Sequence, residues 1–259
     1  MSIFSDERIQ EMGEQFQQLQ SKHDEMLRNY TDHKFENERA KEFALHGFMR
    51  RLGILKLCIQ IVFDKLPPEL TQKPSGDEVN YAMMALHAFV INVSGCIDNL
   101  AAMLVFELPI KKEDGNEIPR RDIGLQSANK ANKDVLKGLS KDFQDSLLRR
   151  DEWFSHLKGL RDSLAHRIPS YIPPFNITNE DAAKYKQFED EKYNAIRLYD
   201  FDKLKELEAA QEKLTSFHPV IGHSFNEKSH PMYFHPLIIS YYTTVEEIAT
   251  NALAELQRN

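Results

Sequence analysis

Arg161 and His166 stand five residues apart, with Asp162 directly after the arginine, in the stretch Arg161-Asp162-Ser163-Leu164-Ala165-His166. A guanidinium is a permanently charged, planar fork for phosphate oxygens, and imidazole is the side chain that exchanges protons near neutrality. Together they can cleave a phosphodiester without a metal: the arginine stabilises charge on the phosphoryl oxygens and the histidine serves as general base or acid. Around the pair, Arg149, Arg150, Lys158 and Arg167 outnumber Asp151, Glu152 and Asp162. This local positive patch makes Lys158 and Arg167 the substrate-binding candidates. The competing reading makes Arg161 a salt-bridged surface residue and His166 a cap at a helix end, with no catalysis.

An arginine, then Asp, Asn or His, then three residues and a histidine resembles the signature of the HEPN superfamily, small all-helical bundles found in metal-independent ribonucleases of toxin, phage-defence and CRISPR systems. Arg161, Asp162 and His166 carry the resemblance, and it covers roughly residues 77–168 plus a closing helix. The segment Gly95-Cys96-Ile97-Asp98-Asn99-Leu100 is similar in wording to HEPN-type bacterial proteins as well. The resemblance implies an all-α fold, a HEPN-like helical bundle with additional helices, and a homodimer whose motif helices face each other across a twofold axis to form one composite site. It implies RNA as substrate in a toxin–antitoxin or phage-defence setting. The chemistry is transesterification by the RNA's own 2′-hydroxyl, giving a 2′,3′-cyclic phosphate and a 5′-hydroxyl, with no cofactor and no metal. Arg161 and His166 are then the catalytic pair, Asp162 orients a neighbour or the facing subunit, and Ser163 is a weaker phosphate contact. The same resemblance fits a non-catalytic binding module for a nucleotide, a nucleotidyltransferase partner or an antitoxin.

The elements that must position these residues read as helices. Ile9, Met12, Phe16, Leu19 and Met26 recur at helical spacing over residues 4–29, which form an amphipathic first helix or a docking arm. Residues 35–65 continue as a helix that Pro67-Pro68 stops. Ser75 and Glu78 form a capping-box signature at the start of a long apolar stretch, residues 78–108, the central helix of the bundle. Asp98 and Asn99 sit on that helix, where buried polar groups need partners: they form a structural hydrogen-bond network, or one of them reaches Arg161 or His166 and fixes its orientation. A charged loop over residues 111–126 and short helices at 129–139 and 141–150 lead into the motif helix, which begins near Asp151 and ends where Pro169 disfavours helical geometry at Ile168. His166 then lies in the last turn, where the helix dipole favours imidazolium. Residues 170–177 read as an extended connector, 179–214 as a charged, solvated helical region, 217–236 as an irregular loop and 237–256 as a closing helix.

At 259 residues, the chain fits a single helical domain, with residues 1–30 as an N-terminal helical arm and 170–236 as a loop and helix insertion. A 41% hydrophobic and 28% charged composition suits a globular protein, and a formal charge of −7 means that any contact with RNA must be local. Cys58 and Cys96 lie on apolar helical stretches with no metal-binding spacing and read as buried small hydrophobes. His218, His223, His230 and His235 crowd one segment, but their spacings fit no helix face and no metal motif, so structural or solvent-exposed roles outweigh a metal site. The chain lacks a phosphate-binding glycine loop, a dinucleotide fingerprint and a GxSxG elbow. No basic-then-apolar leader opens the sequence, and the apolar residues 82–100 carry His87, Asn92, Asp98 and Asn99, so the expectation is a cytoplasmic protein with no membrane contact.

Overall fold

A computed structural model describes residues 3–222 and 231–258. Helix makes up 70% of it and strand 5%, which settles the class as all-α. The first helix, α1 (Asp6–Asp32), is capped by the Ser5 hydroxyl, which accepts from the Arg8 N–H. It is no loose arm: Met12, Leu19, Met26 and Tyr30 are buried, and the Tyr30 hydroxyl donates to the Ala249 carbonyl at 2.8 Å, tying the helix to the far end of the chain.

The stretch expected as one helix over residues 35–65 is built in three parts. A short helix, α2 (Glu38–Glu42), runs into a π-helical turn (Phe43–Phe48) and then α3 (Met49–Lys65). The long α4 (Gly76–Glu107) opens with the capping box read from sequence, in which Ser75 and Glu78 satisfy each other's backbone N–H groups. It packs against α2, α3, α7 and the closing helix, and from Asn99 to Val105 it is buried on every side. By length and composition this helix could cross a membrane, but 72% of its apolar window is buried inside the protein. Both cysteines are buried and unpaired.

The loop after α4 carries a single 3₁₀ turn (Arg120–Asp122). The helix expected over 129–139 shrinks to a 3₁₀ turn (Lys130–Asn132) and α5 (Lys133–Lys137), followed by α6 (Lys141–Leu148) and the motif helix α7 (Asp151–His166). Phe154, Leu157 and Leu160 bury one side of α7. The charged region 179–214 is a helical hairpin, α8 (Ala182–Arg197) and α9 (Phe201–Glu212), that reverses at Tyr199, whose φ of 55° lies in the left-handed region. Strand β1 (Asn176–Ile177) pairs antiparallel with β2 (Thr215–Ser216) and closes the base of that hairpin. The supposed irregular loop contains β3 (Val220–Ile221), paired with β4 (Met232–Tyr233), and α10 (Phe234–Leu256) starts three residues earlier than its spacing suggested.

Candidate functional site

Phe154, Leu157 and Leu160 press α7 onto the bundle, and the helical repeat then turns Lys158 and Arg161, three residues apart, toward one edge of that contact. Opposite them α4 presents Ser94 and Asp98, and the loop before α5 adds Arg121 and Asn132. These groups line a polar recess of about 250 Å³. The loop is pinned in two ways. Ser127 hydrogen-bonds Asp151 at the start of α7. Asn132, buried, donates its Nδ2 to the Gln126 carbonyl at 3.1 Å and fills the space where a side chain at Gly124 would stand.

Of the residues singled out in sequence, Asp98, Lys158 and Arg161 meet in this recess. Arg161 is bonded to its neighbour: Nη2 and Nε donate to Asp162 Oδ1 at 2.8 and 3.2 Å, so Asp162 orients Arg161. With its side chain 42% exposed, this is a surface ion pair worth about 0–1 kcal/mol, which an incoming phosphate can displace. Asp98 reaches solvent but stands in a walled recess, and withdrawal from bulk water raises its carboxyl above the ordinary range. The charges of Arg120, Arg161 and Arg51 pull it part of the way back.

The other candidates are not brought there. Asn99 faces a different side of α4, packing against Gly47 in the π-helical turn, where an added Cβ would lie 2.8 Å from its Cγ. Of the two residues expected to reach Arg161 or His166, it is therefore Asp98 that stands beside Arg161 and not Asn99, because one residue along α4 is about 100° of rotation. Ser163 is fully buried and its hydroxyl donates to the Leu160 carbonyl at 2.7 Å, so it contacts no phosphate. His166 is exposed on the last turn of α7 and Arg167 caps the helix, its N–H donating to the Ser163 carbonyl; neither lines the recess. From Arg161 to His166 is about 7.5 Å along the axis and about 140° around it, so one chain presents guanidinium and imidazole in different directions.

No family model, curated protein or solved structure matches this chain. The site must therefore be read from its own geometry. A larger groove of about 440 Å³ lies between α1 and α10, but its cations are engaged: Arg150 with Glu247 at 2.7 Å and Lys22 with Glu246 at 3.4 Å. Arg150 is thereby withdrawn from the positive patch expected around the motif. Among the described residues no cluster of metal-ligating side chains exists. His235 is buried with Nε2 2.6 Å from the Leu66 carbonyl, His218 lies 3.4 Å from the Ser216 hydroxyl, and His223 and His230 lie outside the described residues.

Sequence reasoning missed Arg121. Its only signal was the pair Arg120-Arg121 in a charged loop, and nothing local tells the two apart. In the fold, Arg120 stacks its guanidinium 4.9 Å from the Phe43 ring centroid, while Arg121 turns to the recess.

Proposed function

We propose that this chain is a HEPN-type helical bundle that cleaves RNA without a metal ion, with the α7 recess holding a backbone phosphate and His166 moving protons. The observation that carries the reading is the convergence of Arg161, Lys158 and Arg121 on one small recess at the edge of α7. Arg161 and Arg121 are held by surface pairs with Asp162 (2.8 Å) and Asp122 (3.8 Å), weak enough for a phosphodiester to displace, and with Lys158 they offer it three cationic donors beside Asp98. Arg161 would bind the non-bridging oxygens and stabilise the charge that grows on them as the 2′-oxygen attacks phosphorus. A His166 imidazole takes the 2′-hydroxyl proton, a second protonated imidazole gives one to the departing 5′-oxygen, and the products are a 2′,3′-cyclic phosphate and a 5′-hydroxyl. Because His166 lies outside its own chain's recess, the imidazole at each recess comes from a second copy.

A second reading has its own support. Arg161 already has Asp162 as a partner and no imidazole lines the recess of one chain, which suits a binding module of the same fold that holds a nucleotide phosphate, with an antitoxin or nucleotidyltransferase as partner. Incubation of the purified protein with single-stranded RNA in EDTA separates the two. The nuclease reading expects cyclic-phosphate ends from wild type, lost in both Arg161→Ala and His166→Ala. Cleavage indifferent to either substitution refutes the site assignment, and phosphate binding without cleavage favours the binding module.

A further inference from the structure

The outer surface of the α3–α4 pair is apolar where a solvated helical face is expected. On α3, Arg50, Ile54, Leu57, Ile61 and Asp64 follow one another at helical spacing; Ile54 is 39% and Leu57 53% exposed. On α4, Tyr81 is 56%, Met84 66% and Ile91 41% exposed, again on one stripe, with Ala88 between. Both stripes lie opposite the buried sides of their helices, which carry Leu55 and Ile59 on α3 and Leu86 and Phe89 on α4. The helices run antiparallel, held at one end by the short link between them and at the other by the Arg51 Nη1–Asn92 Oδ1 bond of 2.9 Å. The stripes therefore lie side by side as one contiguous patch, of a kind that marks an interface.

The ends of the patch carry opposite charge. Near the link stand Asp64, Asp77 and Glu78, partly offset by Lys65. At the far end stand Arg50 and Arg51, and beyond Asp98 lie Lys158 and Arg161. A surface that is acidic at one end, apolar in the middle and basic at the other is complementary to itself when turned end for end.

We infer that this face is a twofold pairing surface and that its occupant is a second copy of this chain, antiparallel to the first. The apolar middles of α3 and α4 meet their own counterparts, and each basic end meets the partner's acidic end. An axis lying in the contact plane, across the helices, keeps the two α7 helices on one flank but at opposite ends of the pair, so this contact is separate from any that would carry a second His166 to a recess. The pairing is thus centred on α3 and α4, with the motif helices at its side.

Sedimentation of the full chain at micromolar concentration tests this without RNA, so its failure and that of the nuclease reading are separable. Wild type is expected as a dimer, and Leu57→Glu with Met84→Glu as a monomer of unchanged circular dichroism. Arg50→Glu is expected to weaken pairing about tenfold, and adding Asp64→Arg to restore it, because the swap returns complementary ends. Under mild oxidation Ala88→Cys, near the middle, is expected to link to its own copy, whereas Asn80→Cys, nearer one end, is not. A monomeric wild type, or a dimer indifferent to both the apolar and the charge substitutions, overturns the inference, even if some other protein proves to bind this face.

Discussion

His235 gives a prediction whose size follows from its surroundings. It is fully buried at the start of α10, ringed by Phe4, Phe63 and Phe234. Its Nε2 lies 2.6 Å from the Leu66 carbonyl oxygen, which can only accept, so Nε2 carries the proton of the neutral ring. Nδ1 has no partner, and burial holds the imidazole down to about 4, from an ordinary 6.5. The unfolded chain takes up a proton as pH falls through its ordinary value, whereas the folded chain does so only near the lower one. In that window acid favours the unfolded state, so the stability contributed by the neutral ring is complete above the upper value and lost toward the lower. The full difference is worth about 3 kcal/mol, of which about 2 kcal/mol is gone by about pH 5. Urea unfolding near neutrality and near pH 5 measures it, comparing wild type with His235→Gln, which keeps a donor for the Leu66 carbonyl. The variant starts less stable because of poorer packing, but is expected to lose about 2 kcal/mol less on acidification. Equal losses in the two chains would show that the ring is not held neutral by burial.

Three further outcomes are expected. Gly124→Ala drives a Cβ to 2.8 Å from the Asn132 amide; breaking that buried bond should cost about 1–3 kcal/mol in chemical denaturation and weaken phosphate binding in the recess, while an unchanged stability would mean that Asn132 moves freely. Asp98→Asn removes the one carboxylate lining the recess, so calorimetry should show inorganic phosphate binding tighten at neutral pH, and the gain should shrink on acidification as the raised wild-type carboxyl takes up its proton. Ser75→Ala removes the capping box of α4 and should cost about 1 kcal/mol, seen as a fall in Tm of about 2–4 °C.

What was legible in the sequence was local. Ser75 and Glu78 are three residues apart and cap α4 with atoms that the chain itself brings together. Pro169 marks the end of α7 in the same way, and Asp151 its beginning. What was hidden depends on partners far along the chain. Asp98 and Asn99 are neighbours with near-identical polarity, and only the packing of α4 between α7 and the π-helical turn sends one to the recess and the other to Gly47. Ser163 looked available because its type suits phosphate, yet its place on the buried side of α7 turns the hydroxyl back onto Leu160. The outer stripe of α4 escaped notice for a different reason. A helix apolar all round has no weak side in its periodicity, so nothing in the spacing sets the exposed Tyr81, Met84 and Ile91 apart from their buried neighbours.

The π-helical turn at Phe43–Phe48 acts on everything before it. A turn closed from i to i+5 absorbs one residue more than an α turn, and one residue is about 100° of rotation. The added residue therefore sets the phase between α2 and α3, letting Ala40 on one side of the turn and Leu52 on the other both point inward. Were these residues wound as plain α-helix, Ala40 and Leu52 would stand about 120° apart and one of them would turn to water; a deletion of one residue here would instead let the turn close as ordinary α-helix with Ala40 still facing inward. The turn works as a vernier between two helices, and the Asn99 amide against Gly47 is the stop that holds its setting.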